Sequence, residues 1–218
     1  MASVPLRIED SLRDDLTGLA GADAARLTLE AWQTEAADSG QTAPVHAMLL
    51  ALSRFDAVNL AYGETAGDSA LVTISQRILH FAEDEFEQGE WLVARLGGGK
   101  FLLAVHEACS RERWQWLAEA LADAVAHPIS DLAGAGNLRL WPRIALMRPA
   151  PGEGPALIFD RLAETLEEAR GQQGRRIVWS DRGLTVPGRR SALVEAELLE
   201  AWNRNEIEVL YQPQVSLL

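Results

Sequence analysis

The chain has 218 residues, 48% hydrophobic and 24% charged, ordinary values for about one globular domain with enough length to enclose a core. Lys and Arg number 20 against 32 Asp and Glu, a net charge of −12, which argues against non-specific nucleic-acid binding while leaving room for a local cationic pocket. No apolar run approaches the roughly 20 residues that cross a bilayer, no secretion signal opens the chain, and the lone Cys109 excludes an internal disulfide or a thiolate metal cluster. A cytoplasmic protein is expected.

In chain order, the Ala-rich stretch 22–38 with Leu27, Leu29 and Trp32 predicts an amphipathic helix, and PVHAMLLAL (44–52) a buried strand. Leu71, Ile74 and Ile78, with Phe81 or Ala82, recur at helical spacing, predicting a helix over about 66–86 with Asp68 and Ser69 in its first turn. WLVARL (91–96) and FLLAV (101–105) flank Gly97-Gly98-Gly99-Lys100, two strands joined by a glycine-rich tight turn. A helix over about 110–127, a strand over 138–147 interrupted by Pro142, a helix at 157–170 and a strand at 175–179 follow. This order predicts an α/β (α+β) fold: a mixed, largely antiparallel sheet of about five strands with flanking helices. Residues 181–190 read as a linker, 191–205 as a fresh amphipathic helix, and IEVLYQPQVSLL as the start of another strand.

Four ordered motifs resemble the GGDEF domain, the diguanylate cyclase family. Asp15-Leu16-Thr17-Gly18-Leu19 resembles D-x-L-T-G-L, and Phe55 to Asp68 is similar to F-K-x-I-N-D-x-x-G-H-x-x-G-D. Arg95 to Phe101 stands where R-x-G-G-D-E-F is expected, and Leu166 to Val178 resembles A-L-Y-x-A-K-x-x-G-R-N-R-V with one extra residue before Gly174. Leu210 to Val215 resembles the first strand of an EAL domain, the c-di-GMP phosphodiesterase family. The resemblance therefore implies a piece of a GGDEF–EAL protein: a lead-in at 1–14, a GGDEF domain of ferredoxin-like, nucleotide-cyclase type at 15–180, the linker, and the start of an EAL domain at 191–218.

Such a cyclase joins two GTP molecules, one on each of two facing domains, with divalent cations on the triphosphate. Magnesium needs carboxylate oxygens. The resemblance places these on the first Asp of D-x-D-x-F and on the third residue of the GGDEF turn, here Ala51 and Gly99, with Ser53 at the second Asp. The fourth turn position is Lys100, the only lysine. An ammonium about 4 Å from a metal charge is repelled by some 4 kcal/mol per unit charge at an effective dielectric of 20. No catalytic or metal residue is therefore expected, and no cofactor; magnesium enters only if substitute ligands make the domain an active cyclase.

The nucleotide-reading positions are better kept. Asn59 and Asp68 stand at the family's guanine-edge readers, and an amide with a carboxylate suits guanine's donors and acceptor. Gly97, Gly98 and Lys100 offer backbone approach and a counter-charge to phosphate, and Arg170 and Arg175 lie near the family's phosphate-contacting Lys and Arg. Against this, Asp56 replaces the lysine of F-K and Glu64 the histidine of G-H, while Gln88 and Trp91 stand at the R-x-x-D product-inhibition site, so no feedback binding is expected there. Plain structural roles compete at each position. Asn59 can close a turn, Asp68 can cap a helix, the glycines can serve the hairpin, Lys100 can be a solvated charge, and the arginines can end a helix.

Rival motifs fail. Gly-Gly-Lys lacks the Ser/Thr and the earlier glycine of a phosphate-binding P-loop. His46, His80, His106 and His127 lack metal-ligand spacing. Trp114 and Trp116 lie two apart on a predicted helix, so one must face outward. The function implied is a silent GGDEF domain that regulates or scaffolds an adjoining EAL domain, with weak GTP binding and a homodimer possible. The alternatives are an active diguanylate cyclase, or an interaction module that binds no nucleotide.

Overall fold

The computed structural model describes residues 10–39, 45–130, 137–150, 152–171 and 176–180. The chain divides after Ser180; the expected linker at 181–190 and the start of a second domain at 191–218 lie outside the described residues, as do residues 1–9. A short 3-10 turn, Asp10–Leu12, leads into α1 (Ala22–Ser39), β1 (Val45–Ser53), α2 (Phe55–Tyr62), α3 (Glu64–Glu85), β2 (Trp91–Gly97), β3 (Lys100–His106), α4 (Arg111–Ala126), β4 (Trp141–Met147), α5 (Pro155–Gly171) and β5 (Ile177–Trp179).

The five strands form one sheet in the order β2-β3-β1-β4-β5. All pairings are antiparallel except β4 with β5. β1 is central because it is apolar on both faces. Its Met48, Leu50 and Leu52 meet α2, α3 and α4 on one side, with Leu71, Ile74, Trp114 and Leu117. Its Val45, Ala47 and Leu49 meet α1 and α5 on the other, with Leu29, Trp32, Ile158 and Leu162. The predicted α/β architecture with a five-stranded, largely antiparallel sheet is the one observed. No helix among the described residues is long and apolar enough to cross a membrane.

Pro142 sits inside β4 without breaking it. The Leu52 N–H is given to the Gly99 carbonyl on the β3 side, 2.9 Å, so Leu52 and its partner Pro142 form a non-hydrogen-bonded pair. The missing N–H of Pro142 therefore faces β5, whose pairing with β4 begins only at Ile144.

Two features depart from the sequence reading. The eight-residue helix α2 was not predicted, and α3 starts at Glu64 behind Gly63 (φ 84°), earlier than Ala66. Asp68 thus lies inside α3 and caps nothing. The cap position is held by a glycine whose positive φ suits the sharp α2–α3 corner. Trp114 is fully buried and Trp116 is 55% exposed, the outward-facing partner that the spacing required.

Candidate functional site

The C-terminal end of β1, the β2–β3 turn and the α2–α3 corner meet at one end of the sheet. Gly97 and Gly98 hold φ of 105° and 51°, open to glycine at little cost. Gly99 is needed for a different reason: a Cβ there would lie 3.2 Å from Leu52 Cβ and 3.4 Å from Phe55 Cβ. The turn is pressed against the β1–α2 junction, and a side chain at 99 would push on both.

Arg95 braces this turn from behind. Its Nε donates to the Gly98 carbonyl at 3.1 Å, and its Nη1 reaches both Asp14 oxygens at 3.1 and 2.9 Å. Asp14 Oδ1 also accepts from the Thr17 hydroxyl at 2.6 Å and the Thr17 N–H at 2.9 Å. Burial raises the Asp14 pKa, but the Thr17 hydroxyl and N–H and then Arg95 outweigh it and hold the carboxyl below its ordinary value. The working aspartate of the first motif is therefore Asp14, one residue before the Asp15 with which that motif was begun. With six residues in D-x-L-T-G-L, counting back from Leu19 was the signal that reaches it.

Ala51 is flanked in the sheet by two cations. Lys100 is its partner on β3 and Arg143 its partner on β4, and directly opposed residues share a face. Lys100 is exposed, and its side chain makes no hydrogen bond or ion pair among the described residues. Arg143 Nη1 donates to the Ala169 carbonyl near the end of α5, 3.1 Å. The small space these three share with Glu167 of α5 measures about 20 Å³, room for about one water. Ala51 and Gly99 offer no side-chain oxygen, the two flanking charges are positive, and the one carboxylate beside them is Glu167. This set does not fit a hard divalent cation that keeps several of its waters. Arg143 went unnoticed in the sequence, where nothing in β4 marks it as the neighbour of Ala51; only the strand register does.

Asn59 lies in α2, and the link between α2 and α3 is made by its backbone carbonyl, which accepts from Gly63 N–H at 2.9 Å. Its side chain closes no turn. It lies across Gly67 of α3, where a Cβ would stand 1.8 Å from Asn59 Oδ1. That oxygen is buried with no hydrogen-bond partner, an unusual state for a carboxamide. Asp68, next to Gly67, is exposed. Asn59 and Asp68 are thus brought to the same helix pair, close to the glycine turn by way of Phe55.

The remaining candidates are dispersed. Asp56 and Glu64 are exposed on α2 and α3, and Gln88 is exposed before β2, whose first residue is the half-buried Trp91. Arg170 belongs to the last turn of α5, with its side chain outside the described residues, as is the whole of Arg175. His46 is fully buried, its ring 5.4 Å from that of Trp114. His106 stacks on Trp32 with ring centroids 5.5 Å apart. Cys109 is buried, and that burial raises its thiol pKa.

Comparison with known proteins gives this geometry a family. An uncharacterized protein of Mycobacterium tuberculosis is 29% identical over 205 residues, covering 94% of this chain and 31% of the relative. One of Sinorhizobium fredii is 28% identical over 208 residues, 94% of this chain and 24% of its own. The chain spans less than a third of these relatives. Among solved structures, the diguanylate cyclase SiaD of Pseudomonas aeruginosa, crystallised with its activator SiaC, superposes with a TM-score of 0.67 at 24% identity over 78% of this chain and 62% of that one. The GGDEF domain of DgcB from Caulobacter crescentus, in complex with c-di-GMP, gives 0.68 at 20% identity over 83% and 99%. At those identities the structures establish a shared fold. The family model described as diguanylate cyclase, GGDEF domain, matches residues 11–176, and the chain belongs to that family.

Proposed function

We propose that this GGDEF domain binds GTP weakly and without a divalent cation, does not condense it, and serves c-di-GMP signalling as a regulatory or scaffolding module acting on an adjoining EAL domain. The observation that carries this reading is the place of Ala51 between Lys100 and Arg143. Where the family's mechanism calls for carboxylates on the strand end and on the turn, this chain presents two cations beside Ala51, and the one carboxylate near them is Glu167 of α5. Cations answer the charge of a triphosphate directly, and they repel the ion that would otherwise do so.

The guanine side is supported by the buried, unpartnered Oδ1 of Asn59. A buried acceptor without a donor is costly, by about 1–3 kcal/mol, and a guanine N1–H or N2–H would satisfy it. Asp68, exposed one residue beyond Gly67, would take the second donor. Gly97 and Gly98 would let the turn approach a phosphate, and Arg170 and Arg175 would extend the cationic side. Gln88 and Trp91 provide no arginine–carboxylate grip for a cyclic dinucleotide. Regulation would then be differential: GTP must prefer one arrangement of the domain and its neighbour over another.

Calorimetric titration of GTP, with and without magnesium, tests the reading. Binding that is present in chelator and weaker in magnesium is the expected result, with no c-di-GMP formed. Magnesium-dependent formation of c-di-GMP would establish an active cyclase instead. No heat at millimolar GTP would leave an interaction module.

A further inference from the structure

A second concentration of cations lies on the other side of α2. Arg54, Val58 and Tyr62, one helical turn apart, face the start of β4 across a groove of about 530 Å³ that also takes in Arg139, Trp141, Arg143 and Arg176. That volume is in the range of small-molecule sites. Four guanidinium groups and no carboxylate line it, in a protein whose net charge is −12. Asn59 belongs to a different face of the same helix, turned to Gly67 of α3.

We propose that this groove is a second binding site, for a small phosphorylated aromatic ligand of the nucleoside polyphosphate class. Three observations point there. Arg54 is the only non-glycine residue with positive φ among the described residues, at 56°, a left-handed conformation that is strained for an L-residue. Such strain concentrates at ligand sites. Next, the side chains of Arg54 and Arg139 make no hydrogen bond or ion pair among the described residues, so both forks are uncommitted. Arg176 spends one nitrogen on Asp123 at 2.8 Å, and Arg143 one on the Ala169 carbonyl at 3.1 Å. Each keeps further N–H donors, since a guanidinium carries five. Finally, Trp141 and Tyr62 are 55% and 49% exposed at this groove.

Planar forks grip phosphate oxygens in pairs, and an exposed indole or phenol offers a stacking face to any base. The two together select a ligand with phosphates at one end and a flat ring at the other. No carboxylate or amide lining the groove is placed to read a base edge, so the site should not distinguish guanine from adenine. That sets it apart from the Asn59 cleft; Arg143 also lies beside Ala51, but Arg54, Arg139, Arg176, Trp141 and Tyr62 carry the inference without the GTP reading of that cleft.

The test follows the indole N–H resonance of Trp141 in the intact chain, assigned by its loss in Trp141→Phe. The probes are ATP, GTP and inorganic tripolyphosphate, all without metal. ATP and GTP are expected to shift the resonance with similar affinities. Tripolyphosphate should compete for the arginines without reproducing the ring-current shift. Arg54→Ala combined with Arg139→Ala is expected to weaken both nucleotides about tenfold or more, and Asn59→Ala to leave the Trp141 response unchanged. The proposal is overturned by no shift at millimolar nucleotide, by unaltered affinity in the double arginine variant, or by loss of the response in Asn59→Ala. A shift produced by poly-glutamate and by neither nucleotide would also overturn it, assigning the groove to an acidic protein partner.

Discussion

At the scale of single residues, the clearest dependence runs between Gly67 and Asn59. Alanine is the better helix former by about 1 kcal/mol, yet an added methyl would fall 1.8 Å from Asn59 Oδ1 and 3.0 Å from its Cγ. The carboxamide must swing away. Overpacking of this kind costs about 1–3 kcal/mol, so Gly67→Ala should lower stability by about 0–2 kcal/mol in denaturant melts. Its larger effect is expected on GTP, with a loss of about tenfold, one hydrogen bond's worth, matching Asn59→Ala in the same calorimetric titration. Undiminished affinity in Gly67→Ala would separate Asn59 from guanine recognition. Asp14 supplies a second residue-level prediction, in pH. Its folded-state pKa is depressed, so the stability it contributes is complete above the ordinary carboxylate value near 3.9 and is lost as pH falls through the lower folded value. Urea melts of the parent protein should therefore lose more stability between about pH 5 and pH 3 than those of Asp14→Asn. The variant should start lower at neutral pH by about 1.5–3 kcal/mol, the worth of hydrogen bonds to a charged group.

Between elements, one arginine closes the end of a helix that is not its own. Arg77 of α3 donates to the carbonyls of Val125, His127 and Pro128, at 3.2, 2.6 and 2.9 Å. It thereby covers orphan acceptors at the C-terminus of α4, where a positive charge also suits the helix dipole. Arg77→Lys keeps the charge and loses the fork, and is expected to destabilise the domain by about 1–3 kcal/mol. Added salt should recover little of that loss, because geometry and not charge has been removed. A melt equal to the parent's would show the three contacts to be dispensable. Most elements were legible because they are long and periodic: Leu71, Ile74 and Ile78 announce α3, and the glycine turn announces the β2–β3 hairpin. Helix α2 was hidden. It is two turns long, starts from an arginine in the left-handed region with no side-chain cap, and ends at Gly63, so neither periodicity nor a capping residue reveals it. Reading α3 from Ala66 then made Asp68 look like a cap, when the true corner is held by Gly63 at φ 84°. The site was legible in the same uneven way. Ala51, Gly99 and Lys100 could be placed by motif. Arg143 emerged only through strand register, whereas Asp14 was within reach of the motif count and its role came from the hydrogen bonds that join it to Thr17 and to the distant Arg95.

For the molecule as a whole, an excess of acid and a cationic end of the sheet are two sides of one design. With a net charge of −12, the protein repels a free triphosphate at long range, and affinity must come from groups that act at contact, within a Debye length of about 10 Å. Lys100 and Arg143 flank Ala51 at that range. If GTP binds only the folded state with a dissociation constant near 1 mM, ligand at ten times that concentration stabilises by RT ln 11, about 1.4 kcal/mol. A domain of this size gains about 2–4 °C for each kcal/mol, so the melting temperature should rise by about 3–6 °C. The sign of the magnesium effect is the informative quantity. Where carboxylates hold the ion, magnesium enlarges the shift produced by GTP. Where Lys100 and Arg143 stand in its place, the ion bound to the triphosphate cancels the charge they answer and adds its own repulsion, so the shift should shrink. Thermal melts in chelator and in excess magnesium, on the parent and on Lys100→Ala, decide between these. The parent should show the larger shift in chelator, and Lys100→Ala, which keeps Arg143 and Asn59, should show a smaller shift with a weaker dependence on the metal. A larger shift in magnesium would mean that this end of the sheet does hold the ion, by groups other than those at 51, 99 and 100.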